Sequence, residues 1–130
     1  MSVQSFVHYF LHLGFPLFIA LLLFRDDWKR AYLILLATML VDLDHLLADP
    51  IFQANRCSIH FHPLHTYYAM GLYVGLLFFR RPFNIIATGL LFHMFTDLVD
   101  CLMTYARCQT CLADSPAITL LEYIYGVFSY

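Results

Sequence analysis

Charged side chains are scarce in this chain, at 12% of 130 residues, whereas a soluble domain typically carries about 25%. Hydrophobic residues make up 62% of the chain, and the mean hydropathy is +0.71. So few charges cannot cover a water-exposed surface, and lipid is therefore the expected solvent. The net charge is only −2 and the basic residues lie in short loops rather than in one patch. Nucleic acid is accordingly not an expected partner.

Other familiar signals are also missing. No Lys or Arg precedes the first apolar run, and that run contains His8 and His12. A secretory signal peptide has a basic start and an apolar centre, so we expect this run to be retained as a first span. We find no low-complexity tract, internal repeat or separate soluble region. Residues 1–130 are therefore predicted to form a single integral-membrane helical domain.

Five apolar stretches fit or nearly fit the length of about 20 residues that a transmembrane helix needs. They are Phe6–Phe24, Ala31–Ala48, Leu64–Phe79, Phe83–Tyr105 and Pro116–Tyr130. The last stretch is the shortest. This pattern predicts an all-α fold, a polytopic membrane helix bundle with four to five transmembrane helices around an intramembrane polar or metal site.

The basic residues predict the orientation of the bundle. Five of them belong to the loops of one face, and two belong to the loops of the other. The two sets are Arg25, Lys29, Arg30, Arg80 and Arg81 against Arg56 and Arg107. Because short loops rich in Lys and Arg stay in the cytoplasm, the first face is predicted to be cytoplasmic and the N-terminus to lie outside.

Ionisable residues are concentrated inside or beside the apolar stretches, where twelve of the sixteen Asp, Glu and His residues lie. They are His8 and His12; Asp42, Asp44 and His45; His60, His62 and His65; His93, Asp97 and Asp100; and Glu122 alone. An ionisable group at the centre of a membrane helix costs about 2.5–3.5 kcal/mol on insertion scales, so such groups normally have partners and a function. With a rise of about 1.5 Å per residue, members of all four clusters lie about 16–24 Å from the cytoplasmic edge. They are predicted to meet in the outer half of the bilayer.

The spacing within the clusters places polar side chains on shared helix faces. His8 and His12 are four residues apart, as are His93 and Asp97, and helical residues at this spacing are neighbours. Asp44 does not share the face of Asp42 on a regular helix. It could bridge a second metal, orient a histidine from behind, or mark unwinding near the helix end.

Neutral imidazoles and carboxylates together form a ligand set for divalent metals. The sequence therefore predicts a site for one or two divalent ions, with Zn²⁺ first and Mn²⁺, Mg²⁺ or Fe as alternatives. A buried hydrogen-bond network that only ties helices together, and a proton or ion relay, are the competing interpretations. The predicted metal ligands are His8, His12, Asp42, Asp44, His45, His60, His65, His93 and Asp97.

The order of these clusters resembles the bacterial membrane-bound metal-dependent hydrolase family of YdjM type. Val41–His45 is similar to the family's Pro-Asp-x-Asp-His motif, with Val41 in place of the proline. His60–Thr66 keeps the two outer histidines of the motif His-Arg-Gly-x-Thr-His-Ser and lacks its Arg-Gly. His93–Asp97 matches the final His-x-x-x-Asp pair, and either His8 or His12 could be the family's early histidine. The resemblance implies a metal-dependent hydrolase of the bacterial inner membrane.

A hydrolase at this depth would act on an ester or phosphoester of a lipid or lipid-linked substrate, with membrane lipid as its surroundings. A divalent ion lowers the pKa of a bound water and polarises the scissile bond. Asp44, Asp100 or Glu122 is the predicted general base. Two alternatives stay open, a histidine-rich di-iron membrane oxidase and a non-enzymatic metal or proton transporter.

The four cysteines are predicted to have a structural role. They allow three disulfide pairings, and Cys57–Cys101 with Cys108–Cys111 is one of the three. All four lie toward the predicted outer face, where an oxidising compartment permits disulfides.

Overall fold

The computed structural model describes residues 1–51, 53 and 55–130. These residues form helices and no strands, which confirms the predicted all-α class. The five main helices are α1 (Val3–Leu23), α2 (Trp28–Ala37), α3 (Tyr67–Leu76), α4 (Phe83–Arg107) and α5 (Ile118–Phe128). Short 3₁₀ segments occur at Arg25–Asp27, Pro63–His65 and Thr110–Leu112, and a longer one at Thr38–Leu47.

Two of the helices are long and apolar enough to cross a membrane. α1 has 21 residues with a mean hydropathy of 1.9, and α4 has 25 residues with a mean hydropathy of 1.6. At about 1.5 Å per residue they measure about 32 and 38 Å, against a hydrocarbon core of about 30 Å. α3 and α5 are shorter than the stretches expected at 64–79 and 116–130, with 10 and 11 residues.

α1 changes its hydrogen-bonding pattern at its middle. It is α-helical over Val3–Tyr9 and Phe15–Leu23, and Phe10–Gly14 between them is a π-helical turn. Pro16 lies two residues after this turn and has no backbone N–H to donate to the carbonyl of His12. A π turn accommodates such a lost bond, and π turns are frequent at functional sites. The turn carries His12 into the protein interior, where it is 3% exposed.

The stretch predicted as one helix over Ala31–Ala48 changes type at Thr38. Thr38–Leu47 is a 3₁₀ helix of 10 residues, although 3₁₀ runs longer than 3–4 residues are uncommon. Burial follows the three-residue period of this helix: Thr38, Val41 and Asp44 are buried, Met39, Asp42 and His45 are half-buried, and Leu40, Leu43 and Leu46 are exposed. Asp42 and Asp44 therefore both face the protein, while the leucines face outward.

A close approach joins this 3₁₀ segment to α4. A Cβ atom built on Gly89 would lie 2.6 Å from Thr38 Oγ1 and 2.7 Å from Thr38 Cγ2, so only glycine fits there without a shift. One helical turn further along each element lie Asp42 and His93. The missing side chain at Gly89 thus allows these two side chains to meet.

Two apolar clusters lie on either side of the ionisable residues. The first consists of Ile19, Ala20, Phe24, Ala31, Leu35 and Ile85. The second consists of Cys57, Ile59, Cys101, Tyr105, Leu112, Ala117 and Leu121. The polar side chains are therefore held between two hydrophobic layers.

The two loops rich in basic residues lie at the same end of the structure. Arg81 donates hydrogen bonds to both carboxylate oxygens of Asp26, at 2.9 and 3.1 Å. These bonds hold the pKa of the Asp26 carboxyl below its usual range. The positive face inferred from the sequence is thus a single face in the structure.

The cysteines form the disulfides Cys57–Cys101 and Cys108–Cys111, one of the three pairings that the sequence allows. The first ties the loop after the 3₁₀ segment to α4. Backbone hydrogen bonds from His60 to the carbonyl of His65 and from His65 to that of His62 hold the same loop in place. Tyr73 adds a bond from its hydroxyl to the carbonyl of Leu64 at 2.9 Å. The disulfide and these bonds together fix the position of His65.

Candidate metal centre

Four side chains from three elements converge between the two apolar clusters. Asp42 comes from the 3₁₀ segment, His65 from the turn before α3, and His93 and Asp97 from adjacent turns of α4; we call them the central group. Asp42 Oδ1 lies 3.0 Å from His93 Nε2 and 3.4 Å from His65 Nε2. Asp97 Oδ2 lies 3.0 Å from His65 Nε2 and 3.3 Å from His93 Nε2. Each imidazole nitrogen therefore faces both carboxylates.

These separations are those of ligand atoms around one ion. A tetrahedral site with metal–ligand bonds of about 2.0–2.1 Å places its ligand atoms about 3.3–3.4 Å apart. His65 Nε2 and Asp97 Oδ2 lie 3.0 Å apart, but their orientation does not form a hydrogen bond, and neither atom has another partner in the described part of the chain; unpaired buried polar atoms are costly. Two carboxylates also balance the charge of a divalent ion. The central group could therefore hold a metal ion.

Asp44 lies behind the central group and orients one of its members. Its Oδ2 accepts a hydrogen bond from His65 Nδ1 at 2.9 Å and another from the backbone N–H of Leu64 at 2.9 Å. A proton on Nδ1 leaves the lone pair of His65 on Nε2, which faces the central group. Carboxylates that hold metal-binding imidazoles in this way fix their tautomer and ring orientation. Of the three roles that the sequence left open for Asp44, this geometry fits the orienting role best.

A second group of ligand atoms shares Asp97 with the first. His8 and His12 from α1 and Asp97 from α4 form what we call the N-terminal group. Asp97 Oδ1 faces His12 Nε2 at 3.8 Å, too far for a hydrogen bond. The His12 ring lies with its centroid 4.5 Å from that of His93. The two groups are thus direct neighbours.

A third group lies on the other side of Asp44. It consists of Asp44, His45 and His62 and is called here the loop group. His45 already has protein partners, since its Nδ1 donates to Asp44 Oδ1 at 3.1 Å and Ser58 Oγ donates to its Nε2 at 3.0 Å. Burial, and next the neighbouring His45, lower the pKa of His62 to about 4. Its imidazole is neutral at neutral pH, and His45 and His62 stack with ring centroids 3.8 Å apart.

Three of the predicted site residues lie outside these groups. Among the described residues His60 belongs to none of them; its ring stacks on Tyr67 at 4.2 Å. Glu122 is exposed on α5. Asp100 lies beside the N-terminal group, where Gln4 Nε2 donates to its Oδ1 at 2.7 Å. His62, by contrast, belongs to the loop group in the structure, although it was not among the ligands predicted from the sequence.

A cavity of about 390 Å³ opens beside the central and N-terminal groups. Its polar lining includes His8, Asp42, Asp97 and Asp100, while its apolar lining includes Met39, Leu40, Leu43, Leu46 and Ile51. Leu40, Leu43 and Leu46 are also exposed on the outer surface of the 3₁₀ segment. The cavity therefore connects the ligand atoms to an apolar face of the protein.

Comparisons with known proteins identify the family of the chain. No curated protein and no solved structure matches the chain. One family model matches residues 2–104, which contain all the members of the three groups. Because this match covers more than half of the sequence, the chain belongs to a family of unknown function, DUF6122.

Proposed function

We propose that this protein is a metal-dependent membrane hydrolase that acts on an ester or phosphoester of a lipid or lipid-linked substrate. The observation that carries the proposal is the central group, whose ligand atoms lie 3.0–3.4 Å apart beside a cavity with an apolar edge. The resemblance of the motif order to hydrolases of YdjM type supports the same assignment.

Each side chain has a distinct task in this proposal. Asp42, His65, His93 and Asp97 hold a divalent ion, with Zn²⁺ as the first choice, and such an ion supplies an activated water and polarises the scissile bond. Asp100 is the general base, because it lies at the cavity. Asp44 is occupied by His65, His45 and Leu64, and Glu122 is exposed, so neither fits that role as well.

The cavity supports an amphiphilic substrate. A polar head group would lie against the acids and histidines, and an acyl or prenyl chain would pass over Leu40, Leu43 and Leu46, which are 66%, 60% and 59% exposed. We further propose that α1 and α4 cross the bacterial inner membrane with shorter apolar helices beside them, as a multi-pass protein of four to five spans. The site then lies in the outer half of the bilayer and receives its substrate sideways.

The apolar layer beside the basic loops argues against transport. Ile19, Ala20, Leu35 and Ile85 are at most 9% exposed and pack below the polar groups. A transporter needs polar access from both sides of its site, and this layer blocks one of them. Gly89 against Thr38 closes the same side further.

The test is hydrolysis by the purified protein in nanodiscs. Metal content is measured first, and then the release of p-nitrophenol from bis-p-nitrophenyl phosphate and p-nitrophenyl butyrate and of products from phosphatidylethanolamine vesicles. His93→Ala should lose both the metal and the activity. His60→Ala removes a histidine outside the three groups and should retain both. Asp100→Asn should retain the metal and lose about 10²–10⁴-fold in rate if Asp100 is the base.

Several results would overturn the proposal. Wild-type protein without bound transition metal, or hydrolysis that is unchanged in His93→Ala, would remove the central group as the catalytic site. Bound iron with oxygen-dependent turnover would assign the same ligands to an oxidase. Metal uptake into sealed vesicles that contain the protein would assign them to a transporter.

A further inference from the structure

The N-terminal group contains buried imidazole nitrogens that one ion in the central group would leave without a partner. His12 is 3% exposed, and its Nε2 has no hydrogen-bond partner among the described residues. It nevertheless points at Asp97 Oδ1 across 3.8 Å. His8 Nδ1 is a second buried nitrogen without such a partner in the described part of the chain. A cation shared by these two unpaired imidazoles and the Asp97 carboxylate would satisfy all three groups at once.

Asp97 is placed to serve two ions at once. Its Oδ2 faces the two histidines of the central group, and its Oδ1 faces His12. A carboxylate with its two oxygens directed to two separate ligand sets is the arrangement that bridges a pair of metals, which lie about 3.5–4 Å apart in two-metal hydrolytic sites. The adjacent rings of His12 and His93 show that the two ligand sets are close enough for such a pair.

The two groups also differ in the number of ligands that they supply. The central group offers four protein ligands, whereas the N-terminal group offers three. Three protein ligands with an open fourth position are typical of catalytic zinc, since the open position takes water or substrate. An open position on an ion held there would lie beside the cavity, because His8, Asp97 and Asp100 all line it.

We propose that the protein holds a second divalent ion on His8, His12 and Asp97, with Asp97 as the carboxylate that bridges it to the ion of the central group. Bound there, the second ion would share the activation of water with the ion of the central group, and Asp100 lies beside this group, with its Oδ1 3.9 Å from His8 Nδ1. The inference rests on the proposed function for the ion in the central group. The loop group is a weaker candidate for a second ion because His45 already has hydrogen-bond partners on both nitrogens.

The experiment counts the ions and detects their bridge. Metal-free protein in nanodiscs is reconstituted with Mn²⁺, excess metal is removed, and bound Mn²⁺ is measured by elemental analysis and by electron paramagnetic resonance. Wild-type protein should bind two Mn²⁺ per chain and give the spectrum of an exchange-coupled pair. His12→Ala should bind one and give the spectrum of an isolated ion.

Matched variants make the result specific. His8→Ala should behave like His12→Ala, and because His8 is half-exposed it tests the site even if the loss of the buried His12 prevents folding. His60→Ala should keep two coupled ions. Circular dichroism and elution volume check that each variant is folded.

The two proposals can fail separately. One Mn²⁺ per wild-type chain, or two uncoupled ions that His12→Ala and His8→Ala leave in place, would refute the second site even if the protein hydrolyses its substrates. Two coupled ions without hydrolysis of any tested ester or phosphoester would leave the second site standing and refute the proposed function.

Discussion

At the scale of single residues, the position of Asp44 shows how a buried acid can support the candidate centre without touching an ion. Its two oxygens are occupied by three N–H donors from His65, His45 and Leu64. These bonds fix the Nδ1–H tautomer of His65, which leaves Nε2 free for the central group. A buried carboxylate with three donors is already engaged on both oxygens, so Asp44 is less suited than Asp100 to act as a general base.

We therefore predict that Asp44→Asn weakens metal binding without removing a ligand. The amide keeps the shape of the side chain but offers one acceptor oxygen instead of two, so His65 loses part of its orientation. Partners of this kind typically contribute about 10–100-fold in metal affinity. Competition with a chromophoric chelator would measure the change in the Kd for Zn²⁺.

Asp49→Asn is the matched control for this prediction. Asp49 follows the same 3₁₀ segment and is exposed, so the substitution removes one negative charge nearby without disturbing His65. Its Kd should equal that of the wild type. An equal weakening in both variants would indicate a general charge effect and contradict the orienting role of Asp44.

Many of the site residues could be predicted from the sequence because their spacing is regular. His93 and Asp97 lie four apart on a regular α-helix, and a rise of about 1.5 Å per residue sets their depth. Which of His60 and His62 belongs to a ligand group could not be predicted from spacing. Both lie in a loop whose conformation depends on the disulfide and on a left-handed backbone at His60, with φ of 59°. Residue spacing carries no information about that conformation.

At the scale of elements, the approach of the 3₁₀ segment to α4 decides whether Asp42 and His93 can meet. Gly89 and Thr38 are in contact one turn before these two residues. A sequence that alternates apolar residues with acids does not distinguish an α-helix from a 3₁₀ helix, since the two differ only by a small change in period. The sequence therefore predicted the helix but not its type, and the three-residue period of burial appeared only in the structure.

We predict that Gly89→Ala lowers the free energy of unfolding by about 1–3 kcal/mol, which is the usual cost of overpacking a filled interior. The added methyl group would push Thr38 away and separate Asp42 from His93. Metal affinity should fall together with stability. Chemical denaturation in detergent, followed by circular dichroism with and without Zn²⁺, would measure both effects.

Gly71→Ala is the control at this scale. Gly71 lies within α3, and a Cβ atom built on it meets nothing within 4 Å. Because alanine favours helix over glycine by about 1 kcal/mol, this variant should be neutral or more stable. Equal destabilisation of both variants would show that the contact between Gly89 and Thr38 is not the cause.

At the scale of the whole molecule, the apolar surface and the basic loops together distinguish the two ends of the protein. α1 exposes Phe6, Phe10, Leu13, Phe18, Leu22 and Leu23, an apolar surface that fits the proposed contact with lipid. The ion pair between Asp26 and Arg81 gathers two basic loops at one end. The two disulfides lie toward the other end, which faces an oxidising compartment in the proposed orientation, and such a compartment permits disulfides.

The sequence could predict that the two basic loops share one end, because this follows from the positions of the charged residues along the chain. The ends of the shorter helices could not be predicted as well, because they depend on local capping. α3 begins at Tyr67 rather than Leu64, since Thr66 Oγ1 accepts a hydrogen bond from the backbone N–H of Ala69 at 3.3 Å and caps the helix. Thr is only one of several residue types that can cap a helix, so the sequence alone does not show where the helix begins.

The proposed orientation predicts which thiols a membrane-impermeant maleimide can reach. All four native cysteines form disulfides, so an introduced cysteine supplies the free thiol. Ser2→Cys should be labelled in intact cells because the N-terminus lies outside. Lys29→Cys, in the basic loop, should be labelled only after the membrane is permeabilised. The opposite pattern would mean that the protein has the opposite orientation in the membrane. Labelling of both variants in intact cells would mean that α1 does not separate the two compartments.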